Sequence, residues 1–351
     1  MKKIIATTSI LFFASCAPTI SNFSSYQKQP ISKTAFMPDP EVIEGIRPNK
    51  VVVFNLDEND NQIAKQANLG ASVTANIENV LTKNHLAKLV DRKSASKLEK
   101  EIALAEMNKT GSYKGPEIAD YAISGTISNA GFTKKYSSGG VYPNKDGSLT
   151  RVPPKFTYNS EVGGNIKIYE LPSMSVVENF EFNGKKSRTE NVQSDNGVSI
   201  AGLVEFGGQQ AKGSDRDDNL VRKAGEEAID ESSIDIKNFF ARRGFILERR
   251  TLKSKSIFKI NLGSTDGVAQ GDKFEVTGQY ETENPLTGKN EVERRVIGEG
   301  VVADKIDPKT SWVIIDDSQA IENIRIGDAV KFKYKKSVFN QIGKLAVNAM
   351  N

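Results

Sequence analysis

The first sixteen residues restrict what the rest of this 351-residue chain can fold into. Lys2 and Lys3 provide a positive start, and residues 4–13 form an apolar run too short to span a bilayer as a permanent helix. This pattern is typical of an export signal, so we expect the chain to fold outside the cytoplasm. The chain has one cysteine, so it cannot build an internal disulfide framework even where the compartment would permit one.

That single cysteine is Cys16, and the small residues Ala14 and Ser15 precede it. This arrangement resembles a lipobox, at which bacteria attach a diacylglycerol to the thiol and cleave the chain just before it. Residues 1–15 are then a lipoprotein signal peptide, and the lipid on Cys16 is the only cofactor-like group expected. Two or three acyl chains, at about 0.8 kcal/mol per buried methylene, give a stable anchor. Ala17 favours the outer membrane, with the protein facing the periplasm. The alternative is an ordinary secretory peptide in which Cys16 is incidental.

Composition leaves room for two folded domains, because 38% of the residues are hydrophobic. The 48 basic and 44 acidic residues are spread along the chain, which does not predict nucleic-acid binding. After the signal there is no apolar run of about eighteen residues. Any further membrane crossing would need β-hairpins that close a barrel with copies of the same chain.

Residues 16–49 are predicted to be a tether or linker. Five prolines within them are expected to prevent regular structure: Pro18, Pro30, Pro38, Pro40 and Pro48. Scattered apolar side chains could dock on a neighbouring subunit, namely Phe23, Tyr26, Phe36 and Met37. A solvated linker is the alternative.

Residues 50–241 alternate between strand and helix patterns. Strands are predicted at 50–56, 86–90 and 119–127, followed by a long hairpin of residues 156–171 and 176–182. Helical spacing of apolar residues predicts helices at 67–83 and 217–241 and a further helix capped by Asp91. This order predicts an α/β or α+β sandwich.

A composition shift at 242–255 is interpreted as a domain boundary, and the pattern beyond it is all-β. Short strands are predicted at 257–262, 273–277, 296–302, 311–315 and 329–334. The pair Gly271-Asp272 is repeated by Gly327-Asp328, and each pair leads into a strand, as expected where a small barrel repeats one corner. We therefore predict a small β-barrel over 256–335. The tail at 336–351 is either a docking helix or a frayed end.

Four motifs, in this order, resemble the curli-secretion (CsgG-like) family of outer-membrane lipoproteins over about residues 16–240. They are the lipobox, the strand at 51–56 with its acidic turn, residues 89–92 before a helix, and residues 119–125 before a long hairpin. The resemblance implies homo-oligomeric rings in which side-by-side α/β domains form a periplasmic vestibule. Some members add transmembrane hairpins and export unfolded curli-like subunits, whereas relatives without hairpins are scaffolds or enzyme activators.

The predicted barrel resembles a different family. Gly267-Val268, Gly271-Asp272 and the closing 326–328 segment are similar to the C-terminal domain of the flagellar assembly protein T family. That resemblance implies a role in building a ring around the flagellar motor at the outer membrane.

A pore would need membrane hairpins from the excursions at 129–163 and 185–215. The best candidate for a membrane strand has five residues on one face: Val198, Ile200, Gly202, Val204 and Phe206. Its intended partner at 185–190 has charges on both faces, and the first excursion contains several cations and the pair Pro153-Pro154. These features favour a ring or scaffold for a flagellar or similar machine over an export pore.

The sequence offers few residues in arrangements that are typical of a catalytic site. His85, the only histidine, is expected in a helix-to-strand connection, and Asp316-Asp317 is interpreted as a solvated turn rather than a metal pair. No zinc-protease, serine-hydrolase or phosphate-loop motif is present in the sequence. We therefore expect a non-enzyme without cofactor or metal, although a role as activator of a periplasmic cell-wall synthase requires only a surface.

Overall fold

The computed structural model describes residues 18–40, 43, 48–93, 95–100, 102, 119–191 and 216–335. They form two compact units. The sheet unit consists of residues 48–240. The barrel unit consists of residues 241–335 together with the N-terminal arm, defined here as residues 18–40. Within the described part of the chain, no helix combines the length and apolar content needed to cross a membrane.

The structure is mostly β with a few helices. In chain order the strands are β1 (Gln27–Gln29), β2 (Asn49–Val53), β3 (Ala87–Leu89), β4 (Tyr121–Ser137), β5 (Gly140–Pro143), β6 (Leu149–Val152), β7 (Lys155–Glu170), β8 (Ser175–Asn191), β9 (Arg243–Leu252), β10 (Lys255–Ile260), β11 (Lys273–Glu283), β12 (Asn290–Ile306), β13 (Ser311–Ile314) and β14 (Ala329–Phe332). The helices are α1 (Gln62–Ala67), α2 (Leu69–Lys83), α3 (Asp218–Phe239) and α4 (Ser318–Asn323). Residues 96–100 are also helical, so this helix begins later than the predicted cap Asp91.

The sheet unit is built on five strands in the order β3-β2-β4-β7-β8. β2 runs parallel to both β3 and β4, while β4, β7 and β8 are antiparallel to one another. Val51, Val52 and Val53 in β2 are all buried, as expected for a parallel strand with both faces covered. The last three strands are 16 to 17 residues long, so their pairing continues to Tyr136 opposite Phe156 and Phe156 opposite Glu190.

Helices α2 and α3 bury one apolar face each, which explains why the spacing of apolar residues in the sequence predicted both helices. The buried face of α2 carries Leu69, Val73, Ile77 and Leu81. Helix α3 is capped by Asp217, whose side chain accepts a hydrogen bond from the Leu220 amide at 3.1 Å. It packs against β7 and β8 and against α2.

The barrel unit closes on itself. Its strands follow the order β9-β10-β13-β12-β11-β14, and β14 pairs back onto β9, which makes six strands. The core inside this barrel is formed by aliphatic and aromatic side chains, including Ile246, Phe258, Ile260, Phe274, Val276, Val302, Val313 and Val330. The all-β barrel expected from the sequence is therefore present.

The barrel starts earlier than the sequence suggested. Residues 242–255 were interpreted as a boundary, but most of them form β9, which pairs with β10, β14 and β1. Gly244 and Ile246 are buried, while Arg249 and Arg250 lie over aromatic rings: Arg249 is 5.9 Å from Phe258 and Arg250 is 4.8 Å from Trp312. Long arginine side chains can cover apolar surface in this way, so an arginine-rich stretch need not be a linker.

The N-terminal arm is also ordered against the barrel. Strand β1 pairs with residues 249–251 of β9, and Ile20 and Tyr26 are buried in a cluster that includes Trp312. The expectation of a tether without regular structure is therefore wrong for these residues. Ile20 and Tyr26, two of the apolar side chains in the arm, are buried against the barrel of their own chain.

Candidate interaction surfaces

The barrel contains two matching corners, the first corner at residues 269–272 and the second corner at residues 325–328. Gly271 and Gly327 adopt positive φ values of 91° and 90°, which favour glycine. In each corner the following aspartate accepts a hydrogen bond from the backbone amide three residues earlier, at 2.9 Å for Asp272 and 2.7 Å for Asp328. The repeated corner expected from the Gly-Asp pairs is confirmed.

Each corner also holds one strand by the same two backbone hydrogen bonds. In the first corner, the Gly271 amide donates to the Val302 carbonyl and the Val302 amide donates to the Asp272 carbonyl, both at 2.9 Å. The second corner makes the equivalent pair with Ile246, at 2.9 and 3.0 Å. The two corners therefore fasten β12 and β9 with one repeated geometry.

Burial raises the pKa of the Asp328 carboxyl, although the Arg325 amide opposes the shift. A carboxyl whose pKa is higher in the folded chain makes stability highest below its unfolded pKa, and stability falls as the pH rises through the folded pKa. Asp328→Asn keeps an acceptor oxygen without the charge. We expect this variant to match or exceed the natural chain in unfolding free energy at pH 7, with the difference disappearing near the unfolded pKa of about 3.9.

Urea unfolding followed by fluorescence tests this between pH 4 and 7, because Trp312 is the only tryptophan and is buried in the barrel unit. The comparison variant Asp328→Ala removes the acceptor and should lose about 1–3 kcal/mol at pH 7. Equal losses in both variants at every pH would contradict the assignment of burial as the cause.

A charged pair is buried in the barrel unit. Arg242 Nη1 lies 3.3 Å from Asp266 Oδ1, and the two side chains are 8% and 9% exposed. The other carboxylate oxygen of Asp266 accepts the Gly263 amide at 3.0 Å. Burial lowers the pKa of Arg242, whereas Asp266 acts in the opposite direction. Burial also raises the pKa of nearby Tyr334 to about 12, so the phenol stays neutral at physiological pH.

The most prominent surface of the barrel unit is the barrel hairpin, defined as residues 278–295. β11 and β12 remain paired out to Glu283 opposite Asn290. At the tip, Leu286 is 93% exposed, and Val292 is 52% exposed on β12. The turn is ordered, because the Asn284 side chain accepts the Leu286 amide at 2.9 Å. An ordered hairpin with exposed aliphatic side chains among charges can contact another protein without rearranging.

The base of this hairpin is braced by cation–π contacts. The Tyr280 ring has the guanidinium groups of Arg295 and Arg325 at 5.7 Å each. Arg325 belongs to the second corner, so the hairpin base is tied to the barrel itself.

A second exposed surface is the sheet extension, defined as residues 129–163 and 184–191. The sequence suggested loops or membrane hairpins here, but most of these residues continue β4, β7 and β8, with the small hairpin of β5 and β6 between them. Residues 185–190, considered as a charged membrane strand, pair with β7. Lys185 forms an ion pair with Glu161 at 3.2 Å. The exposed aliphatic Leu149, 70% exposed, lies at the tip.

The remaining sequence candidates divide into two groups. Cys16 and the five residues Val198, Ile200, Gly202, Val204 and Phe206 lie outside the described residues. His85 is exposed in a left-handed turn between α2 and β3, with φ 51°. Asp317 caps α4 by accepting the amides of Gln319 and Ala320 at 2.8 and 3.2 Å, so its role is that of a helix cap. In the described ranges, no three His, Cys, Asp or Glu side chains are grouped for metal binding.

The sequence did not predict the residues that brace the barrel hairpin. Tyr280, Arg295 and Arg325 come from separate segments, and no local spacing links them. Strand β9 had one usable signal, the alternation of buried Gly244 and Ile246 with the more exposed Arg243 and Phe245.

Comparison with known proteins finds a family that is similar to most of the barrel. Residues 256–331 match the model of the flagellar assembly protein T C-terminal domain. The flagellar assembly protein T match begins in β10 and ends in β14, so it contains every barrel strand except β9 and includes both corners and the barrel hairpin. It confirms the resemblance read from the Gly-Asp pairs and spans less than a quarter of the chain.

Two solved structures of the PelC dodecamer from Paraburkholderia phytofirmans are also similar to this chain. Both are 12% identical and cover 58% of this chain and 94% or 95% of their own, with TM-scores of 0.21 and 0.20. Scores this low carry no argument about fold or assembly. None of the curated proteins matches the chain.

Proposed function

We propose that this protein is a non-enzymatic lipoprotein of the outer membrane that acts as a periplasmic scaffold for a flagellar or related cell-surface machine. The observation that carries the proposal is the match of residues 256–331 to the flagellar assembly protein T C-terminal domain. In this chain that region supplies five of the six strands of a closed barrel, and it presents an ordered hairpin. The hairpin is the partner-binding surface in the proposal.

The CsgG-like interpretation of the sheet unit belongs to the proposal, and the motifs that suggested it have clear structural tasks. Asp120 accepts the Lys50 amide at 2.6 Å and donates its own amide to the Lys50 carbonyl at 2.8 Å, which fixes β2 beside β4. Gly125 is required because a Cβ there would lie 2.3 Å from the Asn165 carbonyl oxygen. These contacts support a rigid α/β unit that could pack side by side in a ring of copies.

The third motif fixes the other edge of the unit. Arg92 donates from Nε and Nη2 to Glu78 Oε1, at 3.1 and 2.7 Å, and also contacts Asn55. The guanidinium thereby joins α2 to the segment that follows β3. In the proposal the sheet unit supplies lateral packing, the lipid sets the height, and the barrel hairpin contacts the machine.

The first test introduces negative charge on the apolar side chains of the hairpin surface. Leu286→Glu together with Val292→Glu should abolish cofractionation of the protein with purified flagellar basal bodies while leaving its abundance unchanged. Leu149→Glu together with Val141→Glu is the matched control, because it places the same two charges at other exposed aliphatic sites, in the sheet unit. Retention of the hairpin variant in basal bodies would reject the hairpin as the contact. Absence of the unaltered protein from basal bodies would reject the flagellar assignment in favour of a curli-like exporter or a synthase activator.

The anchor has its own test. Cys16→Ala should move the protein from the outer-membrane fraction to the soluble periplasmic fraction, because the thiol that would carry the lipid is gone. Unchanged membrane fractionation would disprove the lipid anchor. Single-particle imaging of the detergent-extracted protein distinguishes the remaining alternatives: a closed ring without a detergent belt supports the scaffold, and a belted ring supports the pore.

A further inference from the structure

The N-terminal arm is held by the barrel from its first described residue. Gln270 Nε2 in the first corner donates to the Pro18 carbonyl at 2.8 Å. Two residues later, the Ile20 amide donates to Asp304 Oδ1 at 2.8 Å, and the Ile20 side chain is 5% exposed. The chain is therefore bound to the barrel on both sides of Thr19.

The following residues strengthen this attachment. Phe23 packs edge-on against Trp312 with ring centroids 5.2 Å apart, and the Arg250 guanidinium is 5.4 Å from the Phe23 ring. Strand β1 then pairs with β9, and Lys28 forms an ion pair with Glu248 at 3.5 Å. The arm is thus an integral part of the barrel unit and cannot serve as a long flexible spacer.

The short stretch of chain between Cys16 and Pro18 limits how far the barrel can lie from the lipid. The Cα atom of Cys16 is two residues before that of Pro18, so the two are at most about 7 Å apart. We infer that the barrel end formed by Pro18, Gln270 and Asp304 lies directly against the lipid headgroups. This inference rests on the proposed acylation of Cys16, and it replaces a mobile lipid tether with a fixed contact between barrel and membrane.

The charges at this end are compatible with a lipid surface. Asp304 is the acid that binds the Ile20 amide, and its second oxygen is paired with Lys305 Nζ at 2.9 Å. Gln270 is uncharged. An unpaired carboxylate would be repelled by anionic headgroups, whereas this pair presents no net negative charge at the start of the arm.

The same geometry places the barrel hairpin far from the membrane. β11 starts directly after the first corner and runs from Lys273 to Glu283. At about 3.3 Å per residue, the hairpin tip is about 30 Å from the lipid-facing end. The membrane contact and the proposed partner contact therefore lie at opposite ends of β11.

Fluorescence quenching in vesicles tests the inference with the full acylated chain. Acylation consumes the thiol of Cys16, so Ala269→Cys and Leu286→Cys each provide one reactive thiol for a bimane label. Both sites are exposed, one in the first corner and one at the hairpin tip. In phosphatidylethanolamine and phosphatidylglycerol vesicles carrying headgroup-quencher lipids, the label at 269 should lose most of its emission and the label at 286 little.

A second pair of variants tests the arm itself. Ile20→Asn places a polar side chain in the buried position and should abolish quenching at 269 while the protein still floats with the vesicles. Thr19→Asn places the same side chain at an exposed neighbouring position and should leave quenching unchanged, because it adds no charge that anionic headgroups would repel. Equal quenching at both labels, or none at either, in protein shown by mass spectrometry to be acylated would overturn the inference alone. Protein that is not acylated would overturn the lipid anchor and the inference together.

Discussion

Replacing Asp266 with alanine is expected to lower the unfolding free energy of the barrel unit by about 3–5 kcal/mol. The variant leaves Arg242 buried without this carboxylate, and it also removes the acceptor of the Gly263 amide. Removing one partner of a buried pair is costly because the remaining charge stays out of water. Urea unfolding monitored by Trp312 fluorescence measures the loss, since this buried residue is the only tryptophan.

Two comparisons make that measurement specific. Asp307→Ala removes an exposed aspartate whose side chain accepts a hydrogen bond from Thr310 in the neighbouring turn, and it should change the free energy by less than about 0.5 kcal/mol. The double variant Arg242→Met with Asp266→Asn removes both charges and keeps an acceptor for Gly263. It should recover most of the stability that Asp266→Ala loses. A double variant as unstable as the single one would show that the charge pair is not the cause.

Gly184→Val should destabilise the sheet unit by about 3 kcal/mol, the upper part of the range for overpacked cores. A Cβ at Gly184 in β8 would lie 2.2 Å from the Ala224 carbonyl oxygen and 2.4 Å from the Ala228 nitrogen of α3. These are backbone atoms and cannot rotate away, so the helix must move off the sheet. Hydrogen–deuterium exchange of the α3 amides at 218–239 should accelerate accordingly.

Gly131 in β4 offers a matched control, because a Cβ there meets no atom within 4 Å. Gly131→Val should be neutral or stabilising by up to about 1 kcal/mol, since glycine is unfavourable inside a strand. If both valine variants exchange at the same rate, close contact between β8 and α3 does not limit the stability of this unit.

Local patterns predicted the elements whose partners are near or whose faces differ in polarity. Helices α2 and α3 were predicted because one face of each is buried. The Gly-Asp corners could be predicted from the sequence because each needs a glycine at a positive φ and an aspartate that accepts a backbone amide. In these cases the sequence carries the physical cause within a few positions.

The missed features depend on distant partners. Strand β1 was not predicted, because its pairing residues at 249–251 lie more than 200 positions away and its own three residues are all exposed. The barrel hairpin was predicted too short, since residues 279–283 and 290–295 are mostly polar on both faces and show no alternation. Only the register of β11 against β12 reveals that the strands continue beyond the barrel.

The placement of the N-terminal arm has a consequence for the order in which this protein can fold. Residues 18–40 come long before the groups that hold them: Asp304, which binds the Ile20 amide, follows 284 residues later. Closing so long a loop costs only slightly more entropy than closing a short one, so stability does not suffer. The order of folding does depend on it, because β1 stays unpaired until residues 249–251 of β9 are available. A chain that is cut short before β9 cannot pair β1. The unpaired strand edge then distinguishes it from the folded protein.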